Sequence, residues 1–327
     1  MKYGLMTYRL PHKYINIGDY IQSLAAKQFL PNVDILINRE ELSKYDETFV
    51  KLIMNGWFMH NPKTWPPSSM IEPLLISVHI NRSKSFILEQ DDIINFLKKN
   101  TPVGCRDYET LELLKRKNID SYLSSCLTLT LRNKYEYKGE RCGVYLVDPF
   151  FNFPVLTDFL FNTKRTIANL ISGNIKLKDF FLRRKYLNKI LDKKLLKEST
   201  KITHMFKNRS YSEQELFKEA EKLVEIYSKA ELVITSRIHC ALPCLALNTP
   251  VIFLDAGFKD DNEQSRLKGI KHFFNVISID KNENVVSDID FKNKFNKDVK
   301  IQNKMFHLKY IDILNANVES FIEKQTL

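Results

Sequence analysis

Short apolar runs alternate with longer segments of helical spacing along almost the whole chain, and nothing else in the sequence limits its fold so strongly. Residues 2–8, 33–37, 51–56, 74–78, 103–105 and 121–131 read as strands. Between them, 16–29, 91–99 and 108–117 carry apolar residues every three or four positions, as in Ile17, Ile21, Leu24, Ala25 and Phe29. A second series opens at 142–147 and continues with strands over 202–206, 232–235, 251–254 and 276–279. Its helices fall over 212–230, opened by a Ser212/Glu215 capping box, over 239–247 and over 308–323.

Strands separated by helices imply parallel βαβ units. Two such series in 327 residues, broken near 133–139, predict two Rossmann-like α/β domains facing each other across a cleft. The expected division is an N-terminal domain over 1–135, taken as the acceptor side, and a C-terminal domain over 140–300, taken as the donor side. A basic helical insertion over 164–200 and a closing helix over 305–327 complete the scheme. In such sheets ligands sit beyond the carboxyl ends of the strands, so chemistry belongs just after strands.

The net charge of +11 suggests a nucleic-acid partner until it is mapped. Between Lys164 and Lys207 there are 13 Lys or Arg against three Asp or Glu, so one stretch holds nearly all the imbalance. Within it basic and apolar residues interleave, and Leu187, Ile190, Leu191 and Leu195 recur at helical spacing. A basic amphipathic helix suits a membrane surface or an anionic ligand, while the plainer reading is a solvated insertion whose apolar stripe packs on its own domain. No nucleic-acid-binding motif accompanies the charge, so no nucleic-acid partner is expected.

The five cysteines form no CxxC pair, which argues against a zinc or redox site. Cys240 and Cys244 share a helix face and read as small buried hydrophobes. The first residues show no signal-peptide pattern and no apolar run is long enough to cross a bilayer, so the chain is expected in the cytoplasm, free or peripheral at the inner face of the membrane.

Three segments fall just after strands. Asn16-Ile17-Gly18-Asp19 opens the first helix, where free N–H groups and a small residue allow close approach; a cap with a turn glycine is the plainer reading. In Gly104-Cys105-Arg106-Asp107, Arg106 either pairs with a neighbouring Asp or grips an anion, and Asp107 reads equally well as a helix cap. In Ser236-Arg237-Ile238-His239 a guanidinium, an imidazole and a helix start fall within one turn. That arrangement suits an anion beside a proton donor, and Arg and His are poor packing choices after Val, Ile and Thr.

These segments, with Ser125-Cys126-Leu127-Thr128-Leu129-Thr130-Leu131, occur in an order that resembles the polysaccharide pyruvyl transferase family over about residues 1–260. Asn55-Gly56-Trp57-Phe58-Met59-His60-Asn61-Pro62 is similar to members encoded with capsule and exopolysaccharide genes. Ser125 departs from the pattern, which leads one to expect glycine there.

The resemblance implies a GT-B-like fold, phosphoenolpyruvate as donor and a 4,6- or 3,4-linked pyruvate ketal as product. It implies that Arg106, Arg237 and His239, with Ile238 between the last two, contact the donor. Ketal formation needs C3 of the enol protonated and two hydroxyls attached to C2. His239 is the candidate acid, which would cost activity at alkaline pH, and Asp19 a candidate to orient or deprotonate the acceptor. Asn16, Gly18 and Asn55 are acceptor-side candidates, and no metal or other cofactor is expected. The acceptor would be an oligosaccharide or a lipid-linked glycan. Two other readings share the fold: a glycosyltransferase using a nucleotide sugar, and a glycan-binding protein without catalysis.

Overall fold

The computed structural model describes residues 1–10, 13–57, 61–154, 163–173, 176–255 and 264–324. Residues 58–60 of the Asn55–Pro62 segment lie outside the described residues.

The fold is α/β, built on two six-stranded sheets. The first contains β1 (Lys2–Thr7), β3 (Ile35–Asn38), β4 (Val50–Gly56), β5 (Ile71–Val78), β6 (Val103–Cys105) and β7 (Ser121–Leu123), all parallel, in the order β3-β1-β4-β5-β6-β7. The second contains β8 (Val144–Val147), β9 (Thr200–Ile202), β11 (Leu232–Thr235), β12 (Val251–Asp255), β13 (Asn275–Ile279) and β14 (Val285–Ser287). Its order is β9-β8-β11-β12-β13-β14, and only β14 runs antiparallel. Numbered within themselves, both sheets follow 2-1-3-4-5-6. Each therefore reverses its winding beside its first strand, between β1 and β4 and between β8 and β11, which is where such sheets open a crevice for ligands.

Helices α1 (Ile17–Lys27), α2 (Asp91–Lys99) and α3 (Tyr108–Arg116) connect the first sheet, and a short α4 (Arg132–Tyr135) follows it. In the second half come α5 (Thr163–Ile171), α6 (Asp179–Ile190), α7 (Lys193–Glu198), α8 (Glu213–Lys229) and α9 (Ile238–Ala246). The closing helix α10 (Leu308–Glu323) returns to the first sheet, where the buried Lys51 amine of β4 donates to the Phe321 carbonyl at 2.8 Å. The Ser212 capping box is present at the start of α8. The largest apolar core joins residues of both halves, from Leu5 and Ile21 to Val233, Leu242 and Leu314, and a smaller one lies around Leu146, Phe150, Ile190 and Phe295.

Three expectations are corrected. The run 121–131 is a strand only as far as Leu123; residues Leu127–Thr130 form a 3-10 turn with every side chain buried. The Leu-Thr alternation therefore does not mark a half-exposed strand. Ser125 turns the chain at φ +62°, a backbone state that favours glycine, which accounts for the glycine expected there. The strand read over 202–206 is two strands. β9 joins the second sheet, and β10 (Met205–Lys207) pairs antiparallel with β2 (Tyr14–Asn16) from the first half. The helical spacing through Leu195 is not one helix: Leu191 is extended and Asp192 caps a new one.

The apolar stripe of the basic segment divides. Tyr186, Ile190, Leu191 and Leu195 pack into the smaller core, as the plainer reading requires. Ile167, Ile171, Leu177 and Phe181 are exposed. No helix among the described residues is long and apolar enough to cross a membrane. Cys105, Cys126, Cys240 and Cys244 are buried thiols, and Cys142 is exposed.

Candidate active site

Buried polar groups gather at the carboxyl ends of the first sheet's strands. Side-chain atoms of Asn55, Ser77, His79, Arg106 and Ser125, at or just beyond the carboxyl ends of β4 to β7, are buried without a hydrogen-bond partner among the described residues. Buried polar atoms are nearly always paired, because desolvating one without a partner costs about 1–3 kcal/mol. A concentration of them at strand ends marks a place for a polar ligand.

Arg106 is the extreme case. The residue is 1% exposed, and its Nε and Nη2 have no hydrogen-bond partner among the described residues. Among those residues the nearest carboxylate oxygen, Asp107 Oδ2, lies 3.6 Å from Nε, too far for a hydrogen bond. Asp107 is occupied elsewhere. Its Oδ1 accepts from the Thr110 amide at 2.9 Å, capping α3, and its Oδ2 meets His79 Nδ1 at 2.6 Å. Arg106 is thus at ion-pair distance from Asp107 without a hydrogen bond to it, and both readings of the residue stay open.

From the second sheet come Asp148 after β8 and Arg237 after β11. Asp148 Oδ2 accepts from Arg237 Nε at 2.9 Å and from the His204 amide at 2.9 Å. Burial opposes its charge, but these cationic and N–H partners prevail and hold the carboxyl below its usual range. Asp148 and Phe150 take φ of +43° and +52°, so the turn after β8 is a strained one. The Arg237 guanidinium stacks 3.8 Å from the centre of the Phe151 ring.

His239 is buried in the first turn of α9. Arg237 occupies the N-cap position of α9, His239 sits at a kink in the first turn with φ −80° and ψ +17°, and its Nε2 has no hydrogen-bond partner among the described residues. Burial first, then the Arg106 and Arg266 guanidinium groups, push its pKa well below the usual 6.5. The imidazole is thus neutral at pH 7, so the alkaline loss expected of an imidazolium acid moves toward lower pH.

His239 lines a cavity of about 80 Å³ together with Asn16, His204, Arg237, Ile238 and Arg266. Gly18 lies against the same wall: a Cβ there would come within 3.1 Å of both His204 Nδ1 and His239 Cβ. Asn16 caps α1 through the Gly18 amide, so the cap reading and the site reading both hold for this segment. Asp19 and Asn55 stand back from the cavity. Asp19 accepts from Gln22 at 3.1 Å with Arg39 at 3.7 Å, and the Asn55 amide donates to the Gln22 carbonyl at 2.8 Å.

Sequence reasoning missed His79, Asp148, His204 and Arg266. His204 occupies the break between β9 and β10, and its Nε2 meets the Tyr227 hydroxyl at 2.6 Å. Arg266 lies in a stretch of turns with no periodicity to flag it. The usable signal was position: His79 and Asp148 each follow a strand directly, as Arg106 does.

In this parallel α/β fold, Asn16 and Gly18 from the first half meet His204, Arg237, His239 and Arg266 from the second around one small cavity. The family model described as polysaccharide pyruvyl transferase matches residues 16–256. The chain belongs to that family and is a transferase of polysaccharide biosynthesis. No curated protein matches it significantly. Among solved structures, a functionally uncharacterised protein from Klebsiella pneumoniae is similar at 13% identity and a TM-score of 0.41, over 81% of this chain and 87% of that one. A glycosyl transferase family 9 protein from Veillonella parvula is similar at 8% identity and a TM-score of 0.27, over 85% of each chain. The ADP-heptose LPS heptosyltransferase II of E. coli is similar at 10% identity and a TM-score of 0.28, over 97% of this chain and 98% of that one.

Proposed function

We propose that this transferase moves the enolpyruvyl group of phosphoenolpyruvate onto two hydroxyls of one sugar in a surface polysaccharide or its lipid-linked precursor, releasing phosphate and leaving a pyruvate ketal. The two sheets would serve as the halves of a GT-B-like pair of domains, with the donor between them. The observation that carries this reading is the buried Arg106 guanidinium, two of whose nitrogens have no hydrogen-bond partner among the described residues. Phosphoenolpyruvate bears a carboxylate and a phosphate, which suits the guanidinium groups of Arg106, Arg237 and Arg266. No other cofactor is invoked.

In the proposed reaction, the bound anion offsets the arginine charges so that His239 takes up a proton in the donor complex and delivers it to C3, leaving an oxocarbenium-like centre at C2; a hydroxyl proton released later reloads it. A sugar hydroxyl adds there, the C2–O bond to phosphate breaks with its electrons on the phosphate, and a second hydroxyl closes the ring. Of the two hydroxyl protons released, one balances the proton gained by C3 and the other leaves on phosphate.

Ligand-dependent thermal stability tests the donor. At a hundredfold excess over its dissociation constant, phosphoenolpyruvate should stabilise the fold by about 2.7 kcal/mol, whereas a nucleoside diphosphate should not. The reverse result would favour a nucleotide-sugar glycosyltransferase; stabilisation by glycan alone would favour a binding protein.

Exposed Ile167, Ile171, Leu177 and Phe181 among basic residues support peripheral docking at the cytoplasmic face of the membrane, near a lipid-linked acceptor. An apolar groove of about 650 Å³ between Leu146, Phe180, Leu187 and Ile202, flanked by Arg183 and Arg184, lies on the same side. Lys185 is committed to Glu283, so charge reversal is better placed at the exposed Lys176, Lys178 and Arg184. Flotation with vesicles containing anionic lipid should show salt-sensitive binding that this triple Glu variant loses. Equal flotation of both proteins would end the membrane reading.

A further inference from the structure

His79 lies one residue beyond β5 and is 2% exposed. Its Nδ1 is 2.6 Å from Asp107 Oδ2, and Asp107 is fully buried. That same oxygen is 3.6 Å from Arg106 Nε, so His79 and that guanidinium are immediate neighbours around one carboxylate. Asp107 is itself fixed, because its other oxygen accepts both the amide and the hydroxyl of Thr110. The remaining ring nitrogen, His79 Nε2, is buried with no partner among the described residues.

A carboxylate accepts hydrogen bonds and does not donate them, so it fixes the proton on Nδ1 and leaves the lone pair on Nε2. An imidazole in that state is a base presented at a set place. Packing alone would be served as well by an apolar residue, without the cost of burying a carboxylate and an imidazole.

Resting on the donor reading above, we propose that His79 is the general base of the transfer, taking a proton from the attacking sugar hydroxyl at Nε2 while Asp107 acts as its positioning residue. In this step the hydroxyl oxygen bonds to C2 and its proton passes to Nε2. The C2–O bond to phosphate then breaks, its electrons leave on the phosphate, and the proton on Nε2 passes to that phosphate, which restores the base. The two histidines thereby divide the work: His239 supplies the proton to C3 and His79 removes one from the acceptor.

Among the described residues the charged groups that act on His79 are Asp107, Arg106 and Arg266. Burial first, and then the two guanidinium groups, outweigh Asp107 and lower its pKa to about 4. A phosphoenolpyruvate anion held by those guanidinium groups offsets their charge and makes His79 more basic during turnover.

Nitrogen-15 NMR of the seven histidine side chains tests the idea on the full chain, with His79 assigned from the spectrum of His79→Gln. At pH 7 His79 should carry its proton on Nδ1, and saturating phosphoenolpyruvate should shift its Nε2 signal together with that of His239. If phosphoenolpyruvate moves neither histidine, the donor reading fails. If it moves His239 but leaves His79 unchanged, or if His79 is protonated on Nε2 at the outset, the donor reading stands and the base is overturned. Asp107→Asn is the second variant. Asn caps a helix as well as Asp does, so α3 should survive, but its amide would donate to Nδ1 and drive the proton to Nε2. Against the best methyl glycoside acceptor found for the parent, turnover should drop by roughly 10²–10⁴-fold in both variants with donor affinity kept. Parent-like turnover in His79→Gln would also overturn the proposal.

Discussion

Replacing His239 with Gln is expected to leave the melting temperature and phosphoenolpyruvate affinity near those of the parent and to cut turnover by roughly 10²–10⁴-fold, the usual weight of a positioned proton donor. Its Nε2 has no hydrogen-bond partner among the described residues, so little folding energy is at stake there. The pH dependence carries the sign. Because burial and the Arg106 and Arg266 charges lower its folded pKa, the free chain keeps His239 protonated only well below 6.5. kcat/KM, which reports the free enzyme, should therefore lose the acid as pH rises through that low range. kcat reports the donor complex, where the bound anion offsets the arginines, so its alkaline limb should lie higher. Stability follows the same depressed pKa: it is complete above the unfolded value of about 6.5 and declines as pH falls below it. Near-parental turnover of His239→Gln, measured on the same preparation as its melting temperature, would remove His239 from the acid role.

Arg106→Met should do two opposite things at once. It should abolish stabilisation by phosphoenolpyruvate, since truncating one partner of a buried, hydrogen-bonded charge pair costs about 2–5 kcal/mol, or roughly 30- to several-thousand-fold in affinity. It should also raise the melting temperature of the unliganded protein, because a guanidinium 1% exposed, with two nitrogens lacking a hydrogen-bond partner among the described residues, is a burden on the fold that an apolar chain of similar length relieves. Arg106→Lys keeps the charge but loses the planar fork, so it should weaken donor binding by a smaller factor. If Arg106 were structural, Met would lower the melting temperature and Lys would restore it. Calorimetric scans with and without phosphoenolpyruvate separate the two cases.

Position relative to strands is what made the candidate residues legible. Arg106, Arg237 and His239 could be found because each follows an apolar run and departs from it abruptly in polarity. The whole of α10 and the capping box of α8 were equally open to reading, since periodicity and capping are local properties. What was hidden depends on contacts between distant segments. His204 lay inside what looked like one strand, because nothing local reveals that β9 and β10 join different sheets. Arg266 has no periodic neighbours. His79 carries meaning only once Asp107, 28 residues later, is seen against its ring. Leu127 to Thr130 misled for a related reason: alternation implies a strand only when one face meets water, and here no face does.

The return of α10 to the first sheet has a consequence for synthesis. The ribosome completes β7 long before residues 308–323 emerge, an interval of seconds to tens of seconds at roughly 5–20 residues per second. Through that interval Lys51 lacks the Phe321 carbonyl that later receives its amine, and the core lacks Tyr310, Leu314 and Val318. The half of the protein made first is thus the half finished last. A nascent chain stalled before α10 should be a substrate for chaperones however complete its other strands, and a stop codon just upstream should damage the beginning of the protein more than its middle.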